Sequence, residues 1–243
     1  MSRKIIVITG ASNGIGKFLF SKYVDDGELV FGTFNSKKPK VQQAENLSKV
    51  DVTDYKQVES WVKSICHKAE KLILINCVGV NYNSYAHNSN IKEWIHVINV
   101  NLIGIFNVIH AFLPKMRLEE YGRIINCSSV VAQMPVPGTS AYASSKSGLN
   151  GLCKSIASEN AKKGITINNL NLGYHNIGMI KEVPEKYQKI LKQKIPTGKF
   201  GDPKNIYNAV NYLVQNDYIN GTSIDINGGI IWKSGILIEW AAT

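Results

Sequence analysis

The strongest constraint on how this chain folds lies within its first 23 residues. Ile5-Ile6-Val7-Ile8 is wholly apolar and β-branched, the pattern of a strand buried on both faces of a parallel sheet. It runs straight into Thr9-Gly10-Ala11-Ser12-Asn13-Gly14-Ile15-Gly16, and Ile15, Phe18, Leu19 and Tyr23 then recur at helical spacing. Strand, glycine-rich turn and helix N-terminus together form a phosphate cradle. Glycines let the backbone approach an anion, and the free N–H groups and helix dipole favour its charge. Gly10, Ser12, Asn13, Gly14, Ile15 and Gly16 are therefore candidate cofactor contacts.

A parallel strand needs a crossover, and the rest of the chain supplies crossovers in regular order. Strands are expected at Leu29–Phe34, Lys49–Val52, Leu72–Ile75, Arg123–Asn126, Ile165–Leu170 and Ser223–Ile226. Between them lie helical patterns. One carries Val58, Trp61, Val62 and Ile65 and is capped by Thr53. A long one runs from Ile91 to Met116 with Asn101 at its middle. The last is capped by Asp202, with Pro203 in its first turn. This alternation predicts an α/β protein with right-handed crossovers, a doubly wound and mostly seven-stranded parallel sheet in a single domain spanning 1–243. Residues 173–201 have weaker periodicity and read as a mobile substrate lid holding a short helix. Residues 230–243 form an apolar tail with Ile236, Leu237, Ile238 and Trp240.

Tyr142 and Lys146 stand four apart near the start of a helix, so their side chains share one face. A phenol beside an ammonium is an acid/base unit, and the positive charge should favour the phenolate. Ser129, expected just past the fifth strand, can hydrogen-bond a substrate oxygen. A Tyr and a Lys at this spacing ordinarily form an exposed face. The surrounding pattern is what gives the pair meaning.

The chain has 28 basic and 18 acidic residues, a net charge of +10. The lysines are scattered and form no long basic block, so nucleic acid is not the expected partner. With no signal-peptide pattern and no apolar run of membrane-spanning length, a soluble cytoplasmic protein without a membrane role is expected. Cys66, Cys77, Cys127 and Cys153 lie far apart in sequence and read as small core residues, with neither a metal site nor a disulfide.

These residues resemble one family along nearly the whole chain, the classical short-chain dehydrogenases/reductases. Thr9 to Gly16 matches its TGxxxGIG turn. Asn76-Cys77-Val78-Gly79 is a degraded match to its NNAG, and Asn227-Gly228-Gly229 matches its NGG. Asn101, Ser129, Tyr142 and Lys146 match its catalytic Asn, Ser, Tyr and Lys. The pattern is most similar to the 3-oxoacyl-acyl-carrier-protein reductase branch.

The resemblance implies a Rossmann fold and hydride transfer between a nicotinamide cofactor and a small carbonyl or alcohol. Tyr142 would be the general acid and Ser129 would polarise the carbonyl. Lys146 would bind the nicotinamide ribose and depress the Tyr142 pKa. Asn101, at a bend in its helix, would complete a proton path through water. Asp51 and Val52 would hold the adenine. Asn76, Val78, Gly79, Gly173 and Ile177 would line the cofactor site, and no metal is implied. Two departures stand out: Leu172-Gly173 replaces the family's PG, and Ile177 replaces a Thr that meets the carboxamide. His175, in the same loop, reads as a partly exposed loop histidine, with contact to substrate as the sharper alternative.

The second strand ends Thr33-Phe34-Asn35-Ser36-Lys37-Lys38 without an acid. NAD-selective members place an acid there against the ribose hydroxyl, so Asn35, Ser36, Lys37 and Lys38 favour NADP(H) over NAD(H). The resemblance also implies dimers or tetramers. Acyl carrier protein is a candidate partner through Lys163, but Glu120 stands where the branch has a basic residue. Two readings remain beside the thioester reductase. One is a dehydrogenase of a sugar, polyol or other small ketone. The other, of a different class, is a catalytically idle nucleotide-binding or sensing protein.

Overall fold

The computed structural model describes residues 3–36, 39–67 and 69–230. Its framework is a parallel sheet of seven strands in the order β3-β2-β1-β4-β5-β6-β7. The strands are β1 (Lys4–Thr9), β2 (Val30–Phe34), β3 (Leu47–Lys49), β4 (Lys71–Asn76), β5 (Gly122–Ser129), β6 (Ile165–Leu172) and β7 (Ser223–Ile226). The order reverses between β1 and β4, which opens a crevice at the carboxyl ends of those strands. Ligands of doubly wound sheets bind at this switch point.

Each central strand alternates its apolar side chains between two helical layers. Ile5, Val7, Leu72, Leu74, Ile124 and Ile167 face α2 (Tyr55–Cys66), α4 (Gly104–Leu118) and α5 (Ser140–Asn160). Ile6, Ile8, Ile73, Ile75, Ile125 and Leu170 face α1 (Gly14–Asp25) and α7 (Pro203–Gln215). Burial on both faces explains why the strands are continuous β-branched runs. Phe112, fully buried, meets Trp61 edge-on at 5.7 Å. Removing one such side chain from water stabilises the fold by about 1.5–3 kcal/mol.

Several expected boundaries move. The third strand is Leu47–Lys49, ahead of the expected Lys49–Val52, because its residues pair with Gly32 to Phe34. The α2 cap is Asp54, whose carboxylate accepts from the Lys56 and Gln57 amides, while the Thr53 hydroxyl turns back to Asp51. β5 and β6 run longer than expected, so Ser129 is the last residue of its strand.

The long apolar pattern is one helical rod in three parts: α3 (Ile91–Ile98), a π-helical turn at Asn99–Ile103, and α4. This rod, Ile91–Leu118, is long and apolar enough by length and composition to cross a membrane, contrary to the expectation that no such run exists. Its composition has another cause, since Val97, Ile105, Val108, Ile109, Phe112 and Met116 are buried in the fold.

The 173–201 segment holds a 3₁₀ turn, Gly178–Glu182, and helix α6 (Glu185–Lys194). Ile180, Leu191, Ile195 and Phe200 pack there with Val130 and Ile230 as a third, small apolar cluster. Of the expected tail, Ile230 is buried in that cluster, and 231–243 lie outside the described residues.

Candidate active site

Three elements converge at the crevice. β5 ends at Ser129, α5 carries Tyr142 and Lys146, and the π-helical turn carries Asn101. All sit in a low-dielectric setting: Asn101 is fully enclosed, and Lys146 and Ser129 are buried. The Ser129 hydroxyl hydrogen-bonds Tyr142. The Lys146 ammonium donates to the Cys127 carbonyl at 2.8 Å and lies 5.7 Å from the Tyr142 ring centre.

The electrostatics differ from the sequence expectation. Burial pushes the Tyr142 phenol up to about 12, with the Ser129 hydrogen bond pulling partly the other way. Burial also brings the Lys146 ammonium down to about 8. The phenol is thus protonated at neutral pH, and the expected depression of Tyr142 by Lys146 is absent. The ammonium is spent on a carbonyl, so desolvation dominates.

Asn101 acts as a clasp. Its carboxamide oxygen accepts from the Val80 amide at 2.8 Å, and its NH₂ donates to the Val80 carbonyl at 2.8 Å and to Ser145 Oγ at 3.1 Å. A Cβ on Gly79 would stand 3.6 Å from Lys146 Nζ and 3.7 Å from Asn101 Oδ1. The π-helical turn, a feature common at functional sites, thereby locks the segment after β4 to α5.

The candidate cofactor cradle has a steric reason for its glycines. Gly10 adopts φ +68°, and a Cβ on Gly16 would meet the Gly10 carbonyl oxygen at 2.3 Å. Asn13 caps α1 by accepting from the Gly14 amide. The backbone of Gly14 also approaches the 173–201 segment, because a Cβ there would lie 3.2 Å from Gly178 Cα. Ser12, Ile15 and Ile177 are partly exposed around this junction. At the other end of the crevice, Thr33 accepts from the Gly10 amide, which ties β2 to the turn and leaves Asn35 and Ser36 exposed just beyond. Lys37 and Lys38 lie outside the described residues. The Asp51 carboxylate accepts from Thr53, and Val52 is buried under Gly104. A bare-backbone turn at a helix N-terminus, flanked by polar groups at both ends, fits a dinucleotide.

Asn76 is fully buried, and its amide belongs to a ladder across the sheet that sequence reasoning missed. Thr9 donates to Asn76, Asn76 to Asn126, and Asn126 to Asn169, which reaches Ser223 and Asn150. The signal was an Asn one residue from the end of each apolar run, legible only once register was known. Gly173 packs against Asn227, where a Cβ would come within 2.7 Å of its Cα. His175 is buried, not partly exposed. Its Nδ1 pairs with the Gly173 carbonyl at 3.1 Å, burial lowers its pKa, and its ring fills the space above Gly201.

The model of the short chain dehydrogenase family matches residues 4–188. The chain belongs to that family. It is 34% identical over 240 residues to a 3-oxoacyl-[acyl-carrier-protein] reductase of Thermotoga maritima, covering 94% of this chain and 98% of that protein. It is also 34% identical over 239 residues to an acetoacetyl-CoA reductase of Rhizobium meliloti, covering 94% and 98%. A ligand-free aldohexose dehydrogenase of Thermoplasma acidophilum superposes with a TM-score of 0.88 at 26% identity, covering 98% of this chain and 97% of that one. As a short-chain dehydrogenase the chain is an oxidoreductase that uses a nicotinamide cofactor and a small-molecule substrate.

Proposed function

We propose that this short-chain dehydrogenase is a soluble, cytoplasmic, NADP(H)-dependent reductase that converts the ketone of a 3-oxoacyl thioester to a secondary alcohol. The observation that carries the reading is the partly exposed Tyr142 phenol, held protonated by desolvation and hydrogen-bonded to Ser129, with Lys146 on the same helix. The nicotinamide, when bound, supplies the hydride. Ser129 orients the substrate carbonyl by hydrogen bonding, and Tyr142 Oη holds the proton that the new alkoxide takes. Lys146 and the Asn101 clasp keep that phenol in register and supply the route by which its proton is replaced. The cradle from Gly10 to Gly16 binds the pyrophosphate, Asp51 and Val52 the adenine end, and Val78, Gly79, Gly173 and Ile177 the nicotinamide end. The absence of an acid after β2 supports NADP(H) over NAD(H).

Two observations bear on the carrier of the acyl chain. Lys163, one of the positions suited to an acidic carrier protein, is paired with Glu120 at 2.9 Å. The lid helix α6, by contrast, exposes Lys186, Lys189 and Lys192, and among the described residues none of these pairs with a carboxylate. This distribution favours a small phosphorylated thioester over a protein-bound one. Exposed Ile91, Ile95, Ile103 and Phe106 along the α3–α4 rod support self-association as a tetramer, which light scattering at micromolar concentration measures. The likeness to an aldohexose dehydrogenase keeps a sugar or polyol as the second reading.

The test is NADPH oxidation against acetoacetyl-CoA, its carrier-protein counterpart, aldoses and simple ketones. Turnover highest with the CoA thioester supports the proposal, and turnover confined to sugars replaces it with the second reading. Cofactor binding without turnover on any carbonyl would point to an idle nucleotide-binding protein.

A further inference from the structure

The sulfurs of Cys77 and Cys127 stand 3.4 Å apart. Cys77 follows β4 directly and Cys127 lies in β5, each one residue past the paired Asn76 and Asn126. Neighbouring strands run about 4.7–4.9 Å apart, inside the roughly 4.4–6.8 Å Cα separation that a disulfide spans. Bond formation therefore requires the side chains to close with only a small shift of the two strand ends, and leaves the sheet paired. Cys66 and Cys153 have no such partner, and burial pushes their thiols up to about 11 and about 12.

Neither close thiol has a task in the proposed reaction, yet both touch its machinery. The Cys127 carbonyl holds the Lys146 ammonium at 2.8 Å. Cys77 lies beneath the phosphate turn, where a Cβ on Gly16 would meet its Cβ at 3.2 Å and one on Gly10 would meet its carbonyl carbon at 3.2 Å. Pulling the sulfurs together shifts the anchor of Lys146 and the floor of the cradle in one motion.

We propose that Cys77 and Cys127 form a reversible oxidation site, at which a hydroperoxide converts the two thiols into an intramolecular disulfide that disables the reductase. The Cys127 sulfur attacks the peroxide, the O–O bond breaks, and an alcohol (or water, from hydrogen peroxide) leaves, giving a sulfenic acid. The Cys77 sulfur then displaces that hydroxyl as water and the S–S bond forms. The thiols lose two protons and two electrons, and the peroxide takes up both. The thiols share a hydrogen bond in which either sulfur can donate, so Cys77 is placed to hold the proton of the attacking Cys127. Cys77 is the partly exposed member, and it gives the oxidant its approach.

The full-length protein, with Cys77→Ser, Cys127→Ser and a Cys66→Ser/Cys153→Ser control, is treated with hydrogen peroxide, quenched with catalase and mapped by mass spectrometry. The expected wild-type result is a loss of about 2 Da, the two thiol hydrogens, on a peptide pair joining Cys77 to Cys127. The cross-link is absent in either single variant, unchanged in the control, and reversed by dithiothreitol. Turnover on the best carbonyl, relative to each protein's own untreated rate, falls at least tenfold with the cross-link and recovers with dithiothreitol. The mass readout needs no substrate, so it separates this proposal from the choice of carbonyl. A cross-link between other cysteines, no cross-link at all, or a cross-linked enzyme with an undiminished rate would overturn it.

Discussion

Lys146 donates a 2.8 Å hydrogen bond to the backbone carbonyl of Cys127, so its ammonium is anchored to β5 and not to the phenol beside it. The helix sets the Tyr142–Lys146 spacing and the strand sets where the ammonium points. Four expectations follow from this arrangement and from the cradle it faces.

Tyr142→Phe removes the proposed proton donor and keeps the ring. Turnover should fall about 10²–10⁴-fold, while cofactor affinity measured by fluorescence or calorimetry stays within a few-fold. A Phe variant with near-full turnover would falsify the assignment.

Lys146 has a folded-state pKa near 8 against an ordinary 10.5. Between those values the unfolded chain holds a proton that the folded chain has lost. Stability should therefore rise as pH climbs through this window, and the burial penalty should be constant below it. Lys146→Met removes the titration. Urea midpoints at several pH values from 7 to 10 should show wild type gaining on the variant above pH 8. Parallel curves would mean that the ammonium stays solvated.

Gly16→Ala puts a Cβ 2.3 Å from the Gly10 carbonyl oxygen, a contact that only backbone movement relieves. Overpacking of this kind costs about 1–3 kcal/mol, and the turn that moves is the proposed phosphate cradle. A lowered melting temperature with at least tenfold weaker cofactor binding is expected. Wild-type affinity for the cofactor would place the pyrophosphate elsewhere.

NADPH should exceed NADH by at least about tenfold in kcat/KM. One charge-assisted contact is worth roughly 1.5–3 kcal/mol, and exposure pulls that toward its low end. The preference should shrink in high salt and in a Lys37→Ala/Lys38→Ala double variant. Equal efficiency at low ionic strength sinks the argument.

The sequence by itself determined the parallel sheet, because a strand buried on both faces must be apolar throughout and a parallel neighbour must be reached through a helix. Ile5 to Ile8 and the six later runs carry that information locally, as do the glycines that the turn before α1 requires. The proposed catalytic set was legible as a pattern of residue types at set places along the chain. Tertiary structure decided what those residues experience. The protonation of Tyr142 and Lys146 depends on desolvation by elements distant in sequence, and nearest-neighbour charge pointed the wrong way for the phenol. The Asn76–Asn126–Asn169 ladder and the Cys77–Cys127 contact join residues 43 to 50 positions apart. They exist because strand register sets equivalent positions side by side, and register is a property of paired strands that no single strand contains.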